Sequence, residues 1–225
     1  MLWPGRRCDL CGDLLLFGAL TTTAGGVFCP AHQDLPQCHS CGAPFDGRGR
    51  LCAGCATSTV DTQDQLRALI PKVRAGLRAM GIVLPQPVHV QLVDGARMQA
   101  ESAGEPGRVS GLTRMRGHQV TDILVVAGLP EVGFGATVAH EVMHAWLKQN
   151  RFPQCDPRVE EGLCQIVAHR WLRDHPGRPA EALRTGIERD PDPVYGAGFR
   201  MVKEAVRGHG MNAVLTAVRA TGRLP

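Results

Sequence analysis

The sequence predicts an α+β protein in two parts, a small double zinc module followed by a mostly helical domain with a short sheet. Three observations carry this reading. Seven of the nine cysteines fall within residues 1 to 58. Beyond residue 59 the cysteine pairs stop and apolar residues recur at helical spacing, while VHVQLVD and VTDILVV have the β-branched or alternating character of strands.

The module is written in four pairs: Cys8 and Cys11, Cys29 and His32, Cys38 and Cys41, Cys52 and Cys55. Each pair makes a tight knuckle whose two donors point the same way, and four such pairs make two tetrahedral zinc sites. Sequential pairing gives Cys8, Cys11, Cys29 and His32 at one site and Cys38, Cys41, Cys52 and Cys55 at the other. An interleaved arrangement is the alternative, disfavoured by the short link between His32 and Cys38. The segment has too few large apolar residues to fold on a core alone, so zinc is expected to supply its folding energy. One C-x-x-C pair could be redox-active; four argue for metal, in a reducing compartment, and hence a cytoplasmic protein. His39 is read as a surface residue.

Composition excludes other classes. The net charge is only +4, with no demand for a phosphate-binding stripe, so nucleic acid is not an expected partner. LLLFGAL, residues 14 to 20, is too short to span a bilayer, and no secretory leader pattern opens the chain, so no membrane association is expected.

The second domain is read as residues 59 to 225. Its first helix follows TVDTQDQL, with Asp61 or Thr62 as cap, Pro71 as a kink point and Gly81 beyond its end. VHVQLVD is a strand with His89 exposed, residues 95 to 111 read as a loop, and VTDILVVAGLP from Val120 is a strand ended by Gly128 and Pro130. It leads to TVAHEVMHAWL, residues 137 to 147, a nearly all-apolar helix preceded by Gly133 and Gly135. There His140, Glu141 and His144 form H-E-x-x-H. Positions i and i+4 share a helix face, so the two imidazoles can hold one metal ion while Glu141, one residue on, is placed to take a proton from water: the zincin pattern. The competing explanation is a pair of hydrogen-bonded core histidines.

Asp156 caps and Pro157 starts a second helix, Val159 to Leu172. A catalytic zinc needs a third protein ligand, and Glu160 and Glu161 compete for the role; helical phase alone does not decide. Gly162, read as allowing this helix to approach the metal helix closely, favours Glu161. Residues 173 to 193 are rich in Pro, Arg and Asp, and the apolar spacing after them predicts two final helices. Tyr195, the only tyrosine, falls at a turn between Pro193 and Gly196, from which a hydroxyl can enter a cleft.

The runs ILVVAGLP, AHEVMHAWL, VEEGLCQIVAHRWL, PVYGAGFR and TGRLP, in that order, resemble the LIM-type, ubiquitin-activated zinc peptidases of plants that limit organ growth, over nearly the whole chain. The resemblance implies a zincin-like metallopeptidase domain of the gluzincin kind, in which His140, His144 and a glutamate bind zinc and Glu141 is catalytic. Gluzincins have a small residue after the ligand glutamate, which again points to Glu161. It also implies a LIM-like module that recognises a protein substrate or partner, although Cys29-x-x-His32 and a five-residue link stand where LIM domains have His-x-x-Cys and two residues. Ubiquitin is the partner the family suggests, but no ubiquitin-interacting helices of the plant type precede the module, which speaks against it here.

The expected reaction is hydrolysis of peptide bonds by an endopeptidase with one catalytic and two structural zinc ions. Glu141 moves the proton, Tyr195 is a candidate to steady the oxyanion, and strand 120 to 127 is a candidate edge for an extended substrate. Two alternatives stay open: a non-catalytic LIM-like adaptor, and a DNA-associated zinc peptidase.

Overall fold

The structure, a computed structural model of the 225-residue chain, describes residues 5–15, 18–22, 26–102, 109–117 and 119–225. In the module the two knuckles close on short bridges, Arg7 with Leu14 and Gln37 with Pro44. Strand β1 (Leu20–Thr21) pairs with β2 (Val27–Phe28), and α1 (Ala53–Ala56) follows Cys52. Its apolar clusters are tiny, one of Leu15, Val27 and Phe28 around Cys8, the other of Phe45 among Cys38, Cys41 and Cys55. Both are separate from the large core of the remaining chain, as expected of a segment organised by metal rather than by burial.

Beyond the module, β3 (Thr59–Val60) leads to α2 (Gln63–Ala79). Thr62 is the cap: its hydroxyl accepts from Gln65 N, and Gln65 Oε1 accepts from Thr62 N, a reciprocal capping box. The helix continues through Pro71 on its exposed face. Then β4 (His89–Val93), α3 (Gly95–Glu101), β5 (Gly111–Arg116) and β6 (Gln119–Val126) build a three-stranded sheet in the order β4-β6-β5. Strand β4 runs parallel to β6 and β5 antiparallel. The loop expected over residues 95 to 111 is therefore corrected: Asp94 caps α3, and β5 starts at Gly111, while residues 103–108 lie outside the described part. A second correction follows. Strand β6 is bonded on both sides, so it offers no free edge; the edge beside the metal helix belongs to β5.

The short β7 (Leu129–Pro130) pairs with β3 and opens directly into α4 (Glu131–Gln149), which carries H-E-x-x-H. This helix begins before Gly133 and Gly135, which lie inside it. The reason is packing: a Cβ on Gly135 would fall 2.2 Å from the Trp171 ring, so the glycine makes room for an indole. Helix α5 (Pro157–Arg173) starts as expected, with Asp156 Oδ1 accepting from Arg158 N. The Pro- and Arg-rich stretch holds a further helix, α6 (Arg178–Arg189), before α7 (Tyr195–His209) and α8 (Met211–Thr221). Phe134, Met143, Leu163, Trp171, Phe199 and Val214, all at most 2% exposed, mark one core shared by α4, α5, α7 and α8. The module is tied to this body at two ends: Glu131 N donates to Ser58 O at 2.8 Å, and Arg178 pairs with Asp9 at 2.6 Å. Among the described residues no helix is long and apolar enough to cross a membrane.

Candidate metal centre

Because His140 and His144 are one turn apart on α4, their Nε2 atoms converge to 3.2 Å. Helix α5 brings Glu161 across them, with Oε2 3.1 Å from His140 Nε2 and Oε1 3.5 Å from His144 Nε2. Glu161 Oε2 is buried and has no hydrogen-bond partner. Donors about 2.0–2.1 Å from a tetrahedral ion stand roughly 3.3 Å apart, so these three side chains have the spacing and the unsatisfied atom that a zinc ion fits.

Glu160 is the other half of the arrangement. Its Oε1 lies 3.0 Å from His144 Nδ1, on the far side of the ring. A carboxylate accepting that N–H leaves the Nε2 lone pair facing the centre, the usual way an outer carboxylate orients a metal-binding imidazole. The two glutamates thus differ by geometry: Glu161 faces the convergent Nε2 atoms, and Glu160 holds the His144 ring from the other side.

Charge follows the contacts. Burial works against the charge of Glu161, but the two imidazoles outweigh it and hold its pKa down to about 2. Glu160 is lowered by its hydrogen bond to His144. His144 is raised well above its ordinary value: burial opposes its charge, and Cys164 with the two glutamates overcomes it.

Cys164 was not singled out in the sequence, where it reads as one apolar residue in GLCQIV. It is fully buried, and its sulfur groups with the His140 and His144 nitrogens within 4.8 Å. Burial pushes its thiol up to about 12. The available signal was its position three residues after Glu161 and four after Glu160, hence on their face of α5. The cavity over the centre, about 500 Å³, is lined by Glu161 but not by Cys164, which sits behind the histidines.

Glu141, 7% exposed, is held by β5, the strand the sequence hid. Thr113 Oγ1 lies 2.8 Å from Glu141 Oε2 and 2.9 Å from Glu141 O, so its proton fixes the carboxylate against the helix. Gly111 is required beside it, because a Cβ there would come within 2.8 Å of Glu141 Cγ and Oε1. Tyr195 is the first residue of α7 rather than a turn residue; its ring stacks toward His140 at 6.4 Å and lines the cavity.

The reason given for Gly162 is corrected. A Cβ on Gly162 would fall 2.4 Å from Gly198 O, and one on Gly198 would fall 2.3 Å from Arg158 O. The glycines let α7, not α4, close on α5, and that approach is what carries Tyr195 to the centre.

In the module the donors group sequentially, Cys8, Cys11, Cys29 with His32 and Cys38, Cys41, Cys52 with Cys55, each set within 4.8 Å; the interleaved arrangement is set aside. Burial would raise the Cys8 thiol, but N–H groups of Cys11, Cys29 and Leu10 outweigh it and lower its pKa to about 6. His32 Nε2 is buried without a hydrogen-bond partner, as a ligand nitrogen facing an ion would be. His39 is exposed, as expected.

Comparison with known proteins supplies the family. The model described as DA1-like, Protein DA1, matches residues 71–185. Protein DA1-related 1 of Arabidopsis thaliana is 25% identical across 97% of this chain and 55% of its own length. Protein DA1 of the same plant is 26% identical over 97% and 57%. The LIM domain-containing protein HDR3 of Oryza sativa subsp. japonica is 25% identical over 97% and 62%. The chain thus spans a little over half the length of these relatives. No solved structure matches. With the family model covering just over half of its residues, the chain belongs to the DA1-like family.

Proposed function

We propose that this protein is a zinc-dependent endopeptidase of the gluzincin type, with His140, His144 and Glu161 as ligands and Glu141 as the proton carrier. The observation that carries the reading is the convergence of two imidazole Nε2 atoms and the orphaned Glu161 Oε2, with a buried second carboxylate, Glu141, in the same cavity. A core histidine pair would not need that unsatisfied oxygen. Zinc held there supplies Lewis-acid chemistry, polarising a carbonyl and making water acidic near neutral pH. Glu141, its carboxylate fixed by Thr113, accepts the proton of the attacking water and returns it to the leaving amine. Glu160 keeps the His144 ring in register, and Tyr195 supplies a donor for the oxyanion. An extended substrate lies along β5, whose outer edge borders the cavity, and the apolar wall of Leu172, Leu183 and Ile187 takes one of its side chains.

On this reading residues 1–58 are a LIM-like module with two structural zinc ions and residues 59–225 the peptidase domain. The module recognises a protein substrate or partner, in the cytoplasm, with no part for nucleic acid or membrane. The decisive experiment is identification of new protein termini produced by zinc-loaded wild type and not by Glu141→Gln. Tyr195→Phe is expected to lower kcat roughly 100- to 1000-fold with zinc content unchanged. Absence of any termini dependent on Glu141 would favour an adaptor.

A further inference from the structure

A second cavity, about 900 Å³, opens between the Cys38–Cys55 cluster and the catalytic body. It shares Val109, Ser110, Gly133 and Leu183 with the cavity over the metal centre, so the two cavities adjoin along these residues. The charged side chains lining it among the described residues are Arg48 and Arg50; no Asp or Glu does. Both arginines belong to the loop between Cys41 and Cys52 and are exposed. Arg50 donates to His39 Nδ1, at 3.0 Å from Nε. With Nδ1 accepting, Nε2 is left as the ring N–H donor. Arg48 has no carboxylate partner among the described residues. Arg48, Arg50 and His39 thus put donors and positive charge on the module's side of a cavity otherwise lined largely by apolar residues such as Met98, Val109 and Leu129, and that set matches a carboxylate.

Its distance from the chemistry is set by β5. Thr113 touches Glu141, and four residues back Val109 lines both cavities. Ser110, a bend just before β5, accepts from Val126 N at 2.9 Å, so the second cavity opens a few residues before Thr113 along the chain.

We propose that Arg48, Arg50 and His39 of the second zinc knuckle form a substrate subsite for an acidic residue, Asp or Glu, carried by an extended peptide outside the residues that flank the scissile bond. The module is then part of the substrate channel and not only a separate docking unit. This rests on the peptidase reading, because the peptide in question is the substrate of that centre.

The test separates the two. Glu141→Gln protein of full length, with zinc content verified, is titrated with labelled peptides of about ten residues in which Asp, Ala or Lys is scanned through each position. Asp at one register is expected to tighten binding roughly three- to tenfold over Ala at low salt, with the gain shrinking as salt is added. Arg48→Ala with Arg50→Ala should flatten the scan while affinity for the Ala peptide stays within about twofold, and Arg48→Glu with Arg50→Glu should shift the preference to Lys. A flat scan, or a preference that survives both double substitutions, overturns the subsite even if wild type cleaves the peptides. A preference that depends on the arginines supports it even if wild type cleaves none, in which case the peptidase reading falls alone.

Discussion

Two adjacent glutamates show what a single residue's position decides. Glu161 faces the convergent nitrogens, whereas Glu160 holds His144 from behind at 3.0 Å. If Glu161 is the proposed ligand, Glu161→Gln removes its charge and should abolish stoichiometric zinc binding at this centre. Glu160→Gln still offers an oxygen to Nδ1–H but no charge, and should weaken zinc by the 10- to 100-fold typical of an orienting partner. Chelator competition on both variants measures this; equal losses would mean that both glutamates bind the ion, and the reverse order would exchange their roles. From sequence, the pair could be placed on α5 but not sorted, since consecutive helix positions differ by about 100° and either could reach across. Cys164 was invisible for another reason: a buried cysteine in an apolar run has the pattern of core.

At the scale of elements, the helices with strong caps and long apolar stripes were legible. A cap at Asp61 or Thr62, Asp156 with Pro157, and the run from Val138 to Leu147 announce α2, α5 and α4. The elements that escaped are those stabilised by partners rather than by their own pattern. Helix α3 has seven residues and buries only Met98. Strand β5 begins with glycine and carries Thr113, Arg114 and Arg116; its identity comes from the ladder with β6. Helix α6 hides Ala180, Leu183 and Ile187 at helical spacing among arginines and a proline. Close helix contacts were equally hidden, since Gly162 and Gly198 look like any glycines until α5 and α7 are brought together. Gly162→Ala would drive a methyl into the Gly198 carbonyl, and it is expected to cost about 1–3 kcal/mol, read as a lower denaturant midpoint with unchanged slope.

The sheet has its own fastening. Asp122, 7% exposed, accepts two bonds from Arg114, at 2.6 and 2.9 Å, and Arg114 also reaches Glu101. Hydrogen bonds from Arg114 outweigh burial and hold the Asp122 pKa below its ordinary value. A carboxylate whose folded pKa is depressed contributes stability that is full above its unfolded value, near 3.9, and is lost as pH falls through the folded one. Asp122→Asn should therefore be less stable than wild type at neutral pH, and the gap should close in acid, once the pH has fallen through the lowered folded pKa. Denaturant titrations at the two pH values check it; a gap that persists in acid would assign the loss to packing.

On the scale of the whole molecule, the question is whether the module and the body share a fate. Three donor clusters that could hold a metal ion lie among the described residues, two of them in the module, and the proposed function assigns one zinc ion to each. Among the described residues, the joints between the parts include the Ser58–Glu131 backbone bond, the Asp9–Arg178 pair and the walls of the second cavity. Val60, completely buried, packs in the large core and is retained by a chain that starts at residue 59. An exposed ion pair and one hydrogen bond are each worth about 1 kcal/mol or less, against a core large enough to fold on its own. Residues 59–225 should accordingly fold, melt a few degrees lower and hold one zinc ion, whereas a Cys8→Ser, Cys38→Ser double variant of the full chain should lose about two ions and keep the third. Metal analysis with thermal melts decides between these outcomes: a truncated chain that precipitates or carries no zinc would mean that the body depends on the module, and a double variant that kept every ion would dissolve the assignment of the four pairs.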